Sequence, residues 1–201
     1  IIPKLIHYEK NKALLRDLPY IRYLDLAVVF QCLVSTSDNE QATILVHNTH
    51  MERWNTTCEE LYHLALRNAP RLLPYQLCDM MEFLQACGYS ENEFGDLSSE
   101  DTLYLMTNQA RINGAATILY PGLLAALSDH FSSNLIILPS SIHEVLLCPT
   151  HESRADSEAL SHFPAMVAEV NENHVTTDEV LSDNAYLYSR QEDAVSLITI
   201  N

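Results

Sequence analysis

The stretch YLDLAVVFQCLVS at 23–35 is dense in Val, Leu and aromatic residues, the pattern of a β-strand. STSDNE then turns the chain, and QATILVH at 41–47 returns it as a second strand. A hairpin with a loop this long takes its register from matching side-chain faces, because a slip of one residue would turn every apolar group to the opposite face. Similar pairs recur. TLYLMTN at 102–108 and AATILY at 115–120 flank an Asn113–Gly114 turn signal, NLIILPS is followed by IHEVLLCP, and NAYLYS is followed by AVSLITI across RQED. IIPKLIH adds a short apolar stretch at the start.

Between these pairs the period changes to helical. In NTTCEELYHLALRNA, Thr56 stands three residues before Glu59, so hydroxyl and carboxylate can each satisfy a free amide at a helix start. Cys58, Leu61, Tyr62 and Ala65 then form an apolar face, with Glu59, His63 and Arg67 along the other. The spacing predicts a second helix after Pro74, with Leu77, Met80, Met81 and Leu84 inward and Gly88 closing it, and a third from Pro121 to about Phe131. ADSEALSHFPAMVAEVNEN is helical in pattern, with Pro164 kinking it or starting a new helix after Ser161. Thr176 and Glu179 repeat the Thr-x-x-Glu cap. Segregated hairpins and helices predict an α+β fold, with a mainly antiparallel sheet built from several hairpins and amphipathic helices packed on it.

A chain of 201 residues fits a single domain, 1–201, or two lobes, 1–88 and 102–201, joined by the acidic loop YSENEFGDLSSED at 89–101. Its net charge of −16 is unevenly placed. Residues 1–76 balance eight bases against eight acids, while 77–201 set nineteen acids against Arg111, Arg154 and Arg190. Such a surface disfavours nucleic acid and anionic lipid, whose binding rests on Lys and Arg. No run approaches the roughly 18 apolar residues that span a bilayer. Five unpaired-looking cysteines (Cys32, Cys58, Cys78, Cys87, Cys148), without a CxxC, suit a reducing compartment, so the expected location is the cytoplasm. The chain starts at Ile1 without a methionine, which reads as a fragment lacking an N-terminal segment.

Three groups of residues bear on chemistry. LPSSIHEVLLCPTHE offers Ser141, His143 and Glu144 as catalytic candidates, with Ser140 and Cys148 nearby. If 142–148 is a strand, its pleat sends His143, Val145 and Leu147 to one face and Glu144, Leu146 and Cys148 to the other. No nucleophile, base and acid then meet locally, and Pro-Ser-Ser reads as a turn. His47, His50 and Glu52, with His63 further on, are the metal candidates, although a polar turn before the Thr56 helix accounts for the same residues. Four glycines form no GxGxxG or P-loop, so no cofactor is expected. Among ten tyrosines, Tyr186 and Tyr188 share one face of the last hairpin and are the candidate interaction residues.

The stretches KLIHYEKNKALLRDLPYIRYLDLAVVF, TILVHNTHMERWNTTCEELYHLALRNAPRLLP, NGAATILYPGLLAALSDHF, LIILPSSIHEVLLCP and MVAEVNE with VLSDNAYLY resemble a family of uncharacterised proteins of gut Firmicutes, defined as a domain of unknown function. A looser similarity is to another uncharacterised family of bacilli. Residues 138–144, Asn48, Trp54 and Asn68 match the family pattern. The resemblance implies a further N-terminal α/β segment, and it carries no activity, cofactor or site. Two function classes stand open on the residues. One is a non-enzymatic protein-interaction or regulatory module, binding a protein partner or a second copy of itself. The other is a hydrolase or metal-dependent enzyme using His47 and His50, or His143, with a carboxylate from elsewhere.

Overall fold

Most of the strand expected over 23–35 forms: in the computed structural model, which describes residues 1–35, 41–86, 102–139, 141–150, 160 and 162–198, it is β3, Leu26–Ser35, while Tyr23 ends a separate strand and Leu24 turns between the two at φ 54°. Strand β1 (Ile2–His7) pairs antiparallel with one edge of β3, while β2 (Tyr20–Tyr23) and β4 (Gln41–Leu45) follow one another along the other edge. The register makes this arrangement necessary, since Gln31 lies opposite both Ile2 and Leu45.

The second sheet has six strands: β5 (Tyr75–Asp79), β6 (Tyr104–Asn108), β7 (Asn134–Leu138), β8 (Val145–Thr150), β9 (Ala185–Ser189) and β10 (Ala194–Ile198). They run in the order β10-β9-β7-β8-β6-β5, every pair antiparallel. The chain is therefore α+β, with antiparallel sheets and helices packed on them.

Alternation along β7, β8 and β9 divides the apolar side chains between two cores. Leu135, Ile137, Val145, Leu147, Tyr186 and Tyr188 enter the main core, which also takes Leu5, Val28 and Phe30 from the first sheet. Ile136, Leu138, Cys148, Ala185 and Leu187 face a second cluster on the outer side. Each fully buried Leu or Ile contributes about 1.5–3 kcal/mol relative to exposure, so both faces of this sheet need cover.

Helix α1 (Asn48–Trp54) occupies what reads in sequence as a polar turn, and it ends at Asn55 in the left-handed conformation with φ 48°. Helix α2 (Cys58–Leu72) buries Leu61, Ala65 and Ala69. Its cap is shifted by one residue from the predicted Thr56–Glu59 pair: the Thr57 hydroxyl accepts from the Glu60 amide at 3.2 Å, and the Glu60 carboxylate accepts from the Thr57 amide at 2.9 Å. Helix α4 (Leu123–Phe131) matches the predicted third helix. Helix α5 (His162–His174) carries Pro164 close to its start and covers the second cluster with Phe163 and Val167.

Some of these expectations are overturned. Residues 75–79 are an edge strand rather than the start of the predicted helix, and only α3 (Met80–Ala86) is helical there. Pairing with β6 outweighs the local apolar spacing, and Asp79 then caps α3 by accepting from the Met81 amide at 2.8 Å. AATILY at 115–120, expected as a strand, falls instead in a 3-10 helix, Gly114–Leu119, with every residue buried. AATILY lacks alternation, and an apolar segment enclosed on all sides has no use for a two-faced strand. The helix cap expected at Thr176 does not form: its hydroxyl donates to the Glu179 carboxylate at 2.9 Å, side chain to side chain, within a turn that starts no helix. The acidic stretch 89–101 lies outside the described residues.

Candidate functional site

Between β7 and β8 the chain bends through Ser141–Glu144 instead of continuing as the strand expected from 142. Ser141 bridges to Val180 and is buried. Its hydroxyl accepts the His143 amide at 3.0 Å and donates to the Glu144 carboxylate. A hydroxyl bonding the backbone two residues on is a local turn lock. Ser141 and Glu144 thus do meet, which corrects the expectation that no such groups converge locally.

The His143 ring takes no part in that contact. Its Nδ1 accepts the Asn113 amide at 3.2 Å, its Nε2 lies 3.5 Å from the Glu179 carboxylate, and its carbonyl accepts the Thr107 hydroxyl at 2.7 Å. An imidazole whose Nδ1 accepts an N–H is neutral, with the proton on Nε2 facing Glu179. Neither ring nitrogen then offers a lone pair to a serine. His143 and Glu144 point apart as predicted, although the bend directs them and the pleat does not. Ser140, His151 and Glu152 lie outside the described residues.

The metal candidates resolve into a helix start. The His47 amide donates to Nδ1 of His50 at 3.1 Å, and the His50 ring stacks on Trp54 with centroids 5.6 Å apart. Glu52 is exposed on the next turn. Among the described residues no three His, Cys, Asp or Glu side chains are grouped to hold a metal.

Tyr186 and Tyr188 do share a face, but it is the inner one. They are 0% and 4% exposed, because β9 lies between β7 and β10 and its even-numbered positions enter the main core. Burial, with the Asp25 carboxylate beside it, pushes the Tyr186 phenol far above its usual range. Burial and its hydrogen bond to Asp193 push Tyr188 up to about 12. As an exposed contact surface this pair is ruled out.

The open chemistry lies on the outer face of the six-stranded sheet. Leu105 and Thr107 of β6, Leu138 of β7 and Leu146 of β8 form the floor of a groove of about 460 Å³. Met80 and Phe83 of α3 wall one side, and Met166, Val167 and Val170 of α5 wall the other. Met166 and Val170 remain 41% and 36% exposed, so the apolar wall is left open by the described residues. Two charged groups enter this surface. Glu144 is delivered by the Ser141 turn, and Arg111, held at φ 53°, brings its guanidinium to 5.5 Å from the Phe83 ring. The groove continues past Phe83 and Arg111 along β5, where Tyr75, Cys78 and Glu82 line a second depression.

Sequence reasoning named only Glu144 among these residues as a site candidate. The available signal was indirect: NLIIL and EVLLC are apolar on both faces, and Phe163, Met166, Val167 and Val170 make a helical stripe that must lie over one of them. Five separate segments supply the lining, and spacing alone cannot bring them together.

No helix among the described residues is long and apolar enough to cross a membrane. No curated protein and no solved structure matches the sequence. The Family of unknown function (DUF5688) does match, over residues 1–190 and thus through every strand and helix but β10, and the chain belongs to that family.

Proposed function

We propose that this chain works by binding, as a non-enzymatic interaction module whose groove between α3 and α5 receives apolar side chains of a protein partner. The observation that carries the reading is the uncovered wall of Met166 and Val170 above a preformed apolar floor. Pockets that hold ligands are of this kind, about 300–1,000 Å³, largely apolar and furnished with a few polar groups. The His143 ring supports it, since its Nδ1 accepts the Asn113 amide and its Nε2 faces Glu179, so neither nitrogen is open to a substrate.

The test compares wild type with Val170→Glu and Met166→Glu, each checked for an unchanged melting temperature. Proteins retained by immobilised wild type are identified, purified and titrated against all three forms. A one-to-one complex weakened at least about tenfold by either substitution supports the reading, since a charge buried in an apolar contact costs well over 1.4 kcal/mol. Equal affinity across the three forms refutes it, and so does a hydrolytic activity that disappears in His143→Ala.

A further inference from the structure

The charge around the groove identifies its occupant. We infer that the partner segment is cationic, an amphipathic stretch with apolar anchors flanked by Lys or Arg, and that Glu144 receives one of those cations. This rests on the groove being the partner-binding surface.

Glu144 is half-buried among leucines and valines, and a carboxylate in such a setting is costly unless it is paired. The Ser141 hydroxyl reaches one of its oxygens, Oε1, and among the described residues no donor reaches the other and no Lys or Arg lies within ion-pair distance. Glu82 adds a second acid where the groove opens along β5. Among the described lining residues the opposing charge is Arg111, which lies against Phe83. Arg190, the other described base beyond residue 76, is held by Asp129 at 2.9 Å on a different part of the sheet.

The sequence over 77–201 has the same sign overall, with nineteen acids against three arginines. A second copy of this chain carries a net charge of −16, and an acidic partner would meet Glu82 and Glu144 with like charge. Like-charge juxtaposition selects against such partners, while a basic segment is drawn in and its apolar anchors are then desolvated. Two walls of helix over a sheet floor suit side chains projecting from one face of a short amphipathic segment.

Three fluorescein-labelled peptides test this by fluorescence polarisation against the full chain: leucine anchors flanked by lysines, the same anchors flanked by glutamates, and the lysines kept with serines replacing the leucines. The lysine–leucine peptide is expected to bind about tenfold or more tighter than either control, to weaken as salt rises, and to lose affinity in Val170→Arg. Glu144→Gln, which keeps an acceptor for Ser141, is expected to narrow the preference for lysine over glutamate several-fold. Equal binding of the lysine and glutamate peptides, both lost in Val170→Arg, overturns the charge inference and leaves the groove reading standing. Equal binding of the leucine and serine peptides, or indifference to Val170→Arg, overturns both. A concentration-dependent dimer abolished by Val170→Arg would put a second copy in the groove and overturn the cationic occupant.

Discussion

The Tyr186 hydroxyl donates to Oδ1 of Asp25 at 2.7 Å, tying an inner strand of the six-stranded sheet to the β2–β3 turn of the four-stranded one. Ser182 at 2.6 Å and Asn184 at 3.0 Å donate to the other oxygen of the same carboxylate. The turn itself holds Leu24 at φ 54°, a conformation costing an L-residue about 1–2 kcal/mol. Three donors from residues 182–186 therefore stabilise a turn that its own backbone disfavours.

Tyr186→Phe removes one of these donors and leaves a buried ring edge facing an acceptor. The expected loss is about 1–3 kcal/mol in urea unfolding, with the slope of the transition unchanged. A loss within error of zero would mean that Ser182 and Asn184 alone hold the turn.

Gly114 marks a close approach between two segments. A Cβ there would lie 2.1 Å from the Thr107 hydroxyl oxygen and 2.3 Å from the His143 carbonyl oxygen, so the 3-10 segment and the Ser141–Glu144 bend could not both keep their places. Gly114→Ala is expected to destabilise by about 3 kcal/mol, the upper end for overpacking. Adding Thr107→Ala should restore little, because the carbonyl contact is backbone. Full rescue by the double substitution, measured by chemical denaturation, would contradict the geometry.

His7 makes stability depend on pH. Burial, and after it the charge of Lys10, lower its pKa below 6.5, while Asp25, Asp183 and Glu9 pull weakly the other way. Its Nδ1 accepts the Lys10 amide at 3.3 Å, which also requires the neutral ring. A depressed imidazole pKa means that the unfolded chain binds the proton first. The contribution of His7 is then fully present above 6.5 and is lost as pH falls from there through the folded value. Between pH 7.5 and 5 the wild-type melting temperature should fall more than that of His7→Gln. A ring titration midpoint above 6.5 by NMR would reverse the sign.

The α2 cap separates two adjacent threonines. Thr57 exchanges two hydrogen bonds with Glu60, whereas Thr56 gives a single hydroxyl bond to the same carboxylate at 2.8 Å. Thr57→Ala should cost about 1 kcal/mol, or roughly 3 °C in melting temperature, and Thr56→Ala about half of that. Equal losses would return the cap to the register expected from sequence.

That one-residue shift shows where local information ends. TTCEE holds two hydroxyls and two carboxylates at capping distance, so the start of a helix was legible while its register was not. The hairpins at 26–45, 134–150 and 185–198 were legible too, as was the inward face of α2. Their signals, alternation, turn residues and period-four apolar spacing, act within a few residues of one another. The divergence of Val145 and Leu147 from Leu146 and Cys148 followed from the pleat alone.

Only tertiary structure decided the rest. Tyr75–Asp79 became a strand because β6 lay beside it, and 114–119 became a buried 3-10 segment because both sheets enclosed it. Tyr186 and Tyr188 turned inward because β9 took an interior place in its sheet. The groove needed Phe83, Arg111, Glu144 and Met166 brought together from four parts of the chain. Local preferences are worth a fraction of a kcal/mol per residue, and a ladder of strand hydrogen bonds or a buried side chain is worth more. Pattern therefore set which segments would be strands and helices where nothing opposed it, and contacts between distant segments set which side chains were left facing solvent, free to meet a partner.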